Sequence, residues 1–166
     1  MDQGLSAVLG ALVGALATGG GAYISGRYAA KTQKKQARRE VYRVFLSELT
    51  SVHMQIAKIR ELLFYLNPHG EADPNTIKAE LADLKVKVGR LRDLEVGVRL
   101  EGPQSVASPA NEATRQVSRI EHRLEFAHSR NLQDNDLLRV MEVVEGEYGS
   151  LDELVGRVHC EAPKHL

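Results

Sequence analysis

The chain has 166 residues, enough for one ordinary domain and an appendage. Its 22 basic and 22 acidic residues cancel, which argues against a highly charged nucleic-acid binder, and a hydrophobic content of 43% argues against wholesale disorder. A single cysteine, Cys160, excludes an internal disulfide and fits a reducing compartment. Aromatics are few, Trp is absent, and Leu, Ala, Glu, Arg and Val dominate, a mix that favours helix.

The first element is residues 5–24, LSAVLGALVGALATGGGAYI, which carry no charged side chain. Twenty helical residues cover roughly 30 Å, the thickness of a bilayer's hydrocarbon core. Tyr23 and Tyr28 fall where amphipathic rings prefer the membrane interface. A transmembrane helix is the expectation. A cleaved signal would carry Lys or Arg ahead of the apolar run, but only Met-Asp-Gln-Gly stands there. A buried core helix is the other alternative, because Gly and Ala lower the hydrophobicity. The triplet Gly19-Gly20-Gly21 favours a bend where the span ends. Gly10 and Gly14 form a GxxxG, and Ala7, Ala11, Ala15 and Gly19 form a parallel row. Such rows let two helices approach closely in lipid, so they are candidate packing residues for self-association. Chance spacing in a Gly/Ala-rich span is the competing explanation.

A basic collar follows. Arg27, Lys31, Lys34, Lys35, Arg38, Arg39 and Arg43 stand against one acid, Glu40, whereas the chain after Phe45 holds 15 basic and 20 acidic residues. Lys and Arg resist translocation, so this flank is expected in the cytoplasm and the N-terminus outside. Lys31, Lys34, Lys35, Arg38 and Arg39 are the candidate contacts to lipid or determinants of topology, at about 1 kcal/mol per residue near an anionic surface. Contact with nucleic-acid phosphates is the alternative.

The tail reads as helices separated by Pro and Gly. The first runs unbroken to Leu66, with an apolar stripe of Val41, Phe45, Val52, Ile56, Ile59, Leu63 and Leu66, and stops at Asn67-Pro68-His69-Gly70. The second starts at Asp73-Pro74, carries Ile77, Leu81, Leu84, Val88, Leu91, Leu94 and Val98, and ends at Glu101-Gly102-Pro103. A third is expected from Ser108-Pro109, with Ala113, Val117, Ile120, Leu124 and Ala127 inward. The fourth is capped by Asn131 and carries Leu137, Val140, Met141, Val144, Tyr148, Leu151, Val155 and Val158, weakened by Gly146, Gly149 and Gly156. One-sided stripes must be buried, which predicts either an antiparallel bundle or an intermolecular coiled coil.

Chemistry is sparse. Glu125 and His128 form a Glu-x-x-His, but a carboxylate-bridged metal bundle needs a second copy, so a surface pair is expected. His159-Cys160 has no spaced partner ligands and is expected in a frayed tail. His53 and Glu121-His122 stand alone on helices. The glycine triplet lacks the Lys-Ser/Thr of a phosphate loop. No catalytic residue, metal ligand or cofactor is expected.

The uncharged N-terminus, the span VLGALVGALATGGGAY and the collar KTQKKQARRE resemble small single-pass membrane proteins common in actinomycetes, some of which are similar to the plasmid spread proteins of mycelial bacteria. The resemblance covers roughly residues 1–45 and implies a membrane-associated accessory role, for some of these proteins in conjugative transfer. The expectation is an all-α bacterial protein. Residues 1–26 are a transmembrane anchor, 27–45 a basic juxtamembrane helix, and 46–166 a cytoplasmic helical bundle or coiled coil of about four helices. The bilayer and a second copy or protein partner are its expected partners. Three functions stay open: a membrane-anchored scaffold or interaction protein, a pore or lysis effector assembled through span packing, and an enzyme with a ligand site in the bundle.

Overall fold

In the computed structural model the backbone is described for residues 3–63, 73–130 and 134–165, and the side chains for 29, 31–63, 73–130 and 136–165. The chain divides into two compact units, Met1–Ala37 and Arg38–Leu166. The described elements are helical throughout: α1 (Gln3–Glu61), α2 (Pro74–Glu101), α3 (Gln104–Ser129), α4 (Asp134–Glu161), and a 3-10 turn over Ala162–His165. Among the described residues no helix is long and apolar enough to cross a membrane. The side chains of the expected span, 5–24, lie outside those described.

The second unit is an antiparallel four-helix bundle closed within one chain. Contacts between named pairs show the directions. Lys58 of α1 meets Glu80 of α2 while Tyr42 sits against Gly102, so α1 and α2 run oppositely. Arg92 bonds Ser118 and Lys85 bonds Glu125, which sets α3 against α2. Gln116 bonds the Glu147 carbonyl and Ser105 meets His165, which sets α4 against α3. Arg60 pairs with Glu145 and His53 faces Asp152, which returns α4 to α1.

The apolar stripes become one core. Phe45, Val52, Ile56, Ile59 and Leu63 of the first stripe are buried, as are Ile77, Leu81, Leu84, Val88, Leu91 and Val98 of the second. Every inward residue expected on α3 is buried, and so are Leu137, Met141, Val144, Leu151 and Val158 on α4. Val41, Leu94, Val140, Tyr148 and Val155 pack at its margin, and Tyr42, Leu49 and Leu154 join it beyond the stripes. Burial at about 25 cal/mol per Å² of apolar surface is the main drive for closing the four helices.

Helix ends follow local chemistry, with corrections. Asp73 caps α2: its carboxylate accepts from the Asn75 amide at 3.1 Å, and Pro74 occupies the first turn. The start of α3 is Gln104, not Ser108, and Pro109 lies inside the helix. The reason is that Pro103, extended at φ −69°, already serves as the cap, and its carbonyl accepts from the Val106 and Ala107 amides at 3.0 Å. The earlier start also buries Val106 and Ala107. The first helix reaches Glu61 and widens to a π turn at 62–63, whereas the expected end at Leu66 and the Asn131 cap fall outside the described residues. The C-terminus is not frayed: α4 runs to Glu161 and Ala162 is buried. α4 is continuous through Gly146, Gly149 and Gly156, and a side chain at each would meet open space, so close packing requires none of these glycines.

The connection between α2 and α3 needs its glycine. A Cβ at Gly102 would stand 2.6 Å from the Val98 carbonyl oxygen and 2.7 Å from the Tyr42 hydroxyl. Gly102→Ala is expected to destabilise the bundle by about 1–3 kcal/mol in a denaturant titration. Tyr42→Phe is expected to be neutral or slightly stabilising, because that hydroxyl is buried without a hydrogen-bond partner. The double variant should recover only part of the loss, since the carbonyl clash remains. An unchanged midpoint for Gly102→Ala would show that the turn relaxes freely.

Candidate functional site

The sequence-derived candidates fall in two groups. Ala7, Gly10, Ala11, Gly14 and Ala15 have side chains outside those described. Of the collar, Lys31, Lys34, Lys35 and Arg39 are exposed, and every side chain from 31 to 37 is exposed. Arg38 differs: it is half-buried at the start of the bundle unit, and its Nε is shielded without a hydrogen-bond partner. Arg43 pairs with Glu40 at 2.6 Å, on an exposed turn where such a pair contributes little.

Glu125 and His128 are placed together, in a groove with Lys78, Leu81, Ala82, Lys85 and Ser129. Glu125 is taken by Lys85 at 3.1 Å. His159 bonds the Val155 carbonyl at 2.9 Å and Cys160 is exposed, so helical backbone holds the pair. Among the described residues no group of three or more His, Cys, Asp or Glu side chains could hold a metal ion.

Two polar seams stand out. The first joins α1 to α4 around Tyr148. His53, read from sequence as isolated, stacks on the Tyr148 ring with centroids 4.6 Å apart and planes 8° from parallel. The Arg60 guanidinium lies 4.0 Å from the centroid of the same ring and pairs with Glu145. Cation–π and stacking contacts of this kind are each worth about 0.5–2 kcal/mol. Burial pushes the Tyr148 hydroxyl above its ordinary value, opposed by Arg60. Burial likewise pushes the His53 imidazole below its ordinary value; Asp152 opposes this and Arg60 reinforces it.

The second seam joins α2 to α3. Arg92, Glu95, Asn111, Thr114, Arg115, Ser118 and Arg119 line a groove of about 410 Å³. A smaller one shares Asn111 and Arg115 and adds Arg99, Gln104, Ala107 and Ser108. Glu95 is only 6% exposed and accepts from the Asn111 amide at 3.1 Å. The Arg92 Nε donates to the Ser118 hydroxyl at 3.2 Å. Elsewhere on the bundle surface the cations Lys58, Arg60, Lys85, Lys87 and Arg123 each meet a carboxylate. Among the described residues Arg92, Arg99, Arg115 and Arg119 form no ion pair. Sequence reasoning missed this seam. The signal was there: α2 carries a basic residue at every seventh position, Lys78, Lys85, Arg92 and Arg99, which keeps all four near one helix face.

The His53 contacts make stability depend on pH. An unfolded imidazole takes a proton near 6.5, and the folded one only at lower pH. The native state then binds fewer protons across that interval, so stability rises with pH and is lost as pH falls below about 6.5. His53→Phe keeps a stacking ring and removes the proton, and melting curves from pH 7 to pH 5 are expected to flatten. A variant as acid-sensitive as the parent would assign the dependence to other groups. No family model matches the chain, and no curated protein or solved structure matches it either.

Proposed function

We propose that the chain is a non-catalytic, membrane-tethered interaction module. Its apolar segment at 5–24 spans the bilayer, its collar keeps the following residues on the cytoplasmic side, and the bundle of Arg38–Leu166 engages a partner or a second copy. The observation that carries the reading is a juxtaposition along the chain. Twenty residues without a charge are followed, six residues on, by a helical stretch, 31–37, in which every side chain is exposed and Lys31, Lys34 and Lys35 meet solvent. A helix polar on all sides gains nothing from a core, whereas beside an anionic surface each lysine gains about 1 kcal/mol. The Gly10/Gly14 and Ala7/Ala11/Ala15 rows supply a packing face for pairing of spans. The resemblance of residues 1–45 to small actinomycete membrane proteins points the same way.

The test is fractionation followed by a topology reporter. The full chain is expected in the membrane pellet after an alkaline carbonate wash, and a chain lacking residues 1–26 in the supernatant. A full chain found wholly in the supernatant overturns the proposal. A reporter active only outside the cytoplasm, fused after Leu166, should be silent. Changing Lys31, Lys34 and Lys35 to Gln should make it partly active, because the positive flank that resists translocation is then weakened. Arg38 is left in place, since its half-buried guanidinium belongs to the bundle. A native fusion already active outside reverses the orientation.

A further inference from the structure

We infer that the α2–α3 groove is a binding site for a compact oligophosphate anion, with Arg92, Arg99, Arg115 and Arg119 as its ligand-contacting residues. Three observations carry this. The first is charge without a counter-charge. Four exposed guanidinium groups line the two continuous parts of the groove against one carboxylate, Glu95, which is buried and engaged by Asn111. Among the described residues none of the four arginines is in an ion pair, whereas Lys58, Arg60, Lys85, Lys87 and Arg123 each are, and only in this groove do four unpaired arginines share one lining.

The second is spacing. Arg92 and Arg99 are two turns apart on α2, about 10 Å along the axis, and Arg115 and Arg119 are one turn apart on α3, about 6 Å. The cross-links Arg92–Ser118 and Glu95–Asn111 fix the two helices in register, so that Arg119 faces the Arg92 level and Arg115 the Glu95 level. The arginines thus line one short groove from two sides. Guanidinium forks match phosphate oxygens two at a time, and the fork is planar and permanently charged.

The third is the lining. Besides the arginines it offers Asn111, Thr114, Ser118, Gln104 and Ser108, with Ala107 as its apolar member. A protein partner draws its affinity from large apolar or aromatic anchors in pockets, and this groove has none to offer. A phosphate chain needs only charge and donors. The anion has two natural sources, a soluble linear oligophosphate and a phosphorylated lipid headgroup, and they share this chemistry.

The experiment titrates the full-length chain in neutral detergent, at about 0.15 M salt, with inorganic tripolyphosphate and separately with inositol trisphosphate. Insertion into a bilayer plays no part, so failure here leaves the membrane reading untouched and failure of that reading leaves this one testable. The native chain is expected to bind at least one of the two anions. Tighter binding of tripolyphosphate marks a soluble source, and tighter binding of inositol trisphosphate a headgroup. Arg115→Gln with Arg119→Gln should weaken Kd about a hundred-fold, at about ten-fold for each lost charge-assisted contact. Arg115→Lys with Arg119→Lys should keep part of the affinity. Arg139→Gln, an exposed change on α4 outside the groove, should leave it unchanged. Helix content and melting temperature of each variant are checked alongside. Absence of binding by the native chain, an unaltered Kd in the double Gln variant, or an equal loss in Arg139→Gln would each overturn the proposal.

Discussion

Two residues between α2 and α3 set the register on which the groove depends. The Gly102 amide donates to the Val98 carbonyl at 2.8 Å and closes α2; the Pro103 carbonyl then accepts from Val106 and Ala107 and opens α3. So short a turn leaves the second helix little freedom to slide, and the seam closes with Arg92 at Ser118 and Glu95 at Asn111. A longer loop could let α3 shift by a turn, about 5.4 Å, and every cross-seam pair would change. The turn tolerates Tyr42 beside it because Gly102 has no side chain. An aromatic from α1 therefore reaches the α2–α3 corner and ties three helices at one level.

The apolar half of this arrangement was legible in the sequence. Ile77, Leu84, Leu91 and Val98 repeat every seven residues and all are buried, because seven residues make nearly two helical turns. The stops Gly102-Pro103 and the Asp73-Pro74 start were legible for the same local reason. Pro109 misled, since proline is familiar in a first turn and Pro103 had already taken the capping place. Leu154 was missed because the stripes were traced one residue per turn and a helix in a bundle of four buries more than that, whereas Leu49 occupies the one turn that the stripe skipped between Phe45 and Val52. The arginine seam was missed for a deeper reason. The seven-residue spacing puts Arg92 and Arg99 near one face of α2, but what they meet there is decided by α3, which that spacing does not report.

The two seams show what the same residue types do when partners differ. At α1–α4, Arg60 lies on Tyr148 and pairs with Glu145, while His53 stacks on that ring. Each charge there meets an opposite charge or a π face, and the side chains are held in place by packing. At α2–α3 the guanidinium groups project around a single engaged carboxylate. Like charges that line one groove repel, weakly where they are exposed to water. Relief of that repulsion is one source of the affinity proposed for an anionic ligand.

Magnitudes also divide the labour proposed for the first unit. Lys31, Lys34 and Lys35, at about 1 kcal/mol each, give a membrane contact of about 3 kcal/mol, which by itself corresponds to a dissociation constant of several millimolar, about 6 mM. That is too weak to hold a protein on a surface. In the proposed reading the anchoring therefore falls to the uncharged residues 5–24, since each buried CH2 group contributes about 0.8 kcal/mol and the segment holds many. The lysines are then left with the task their strength suits, which is choosing a side. Lys35 precedes Arg38, the first residue of the bundle unit, by only three positions. The charges to which the proposal gives that choice and the residues that open the core are therefore neighbours in sequence on α1.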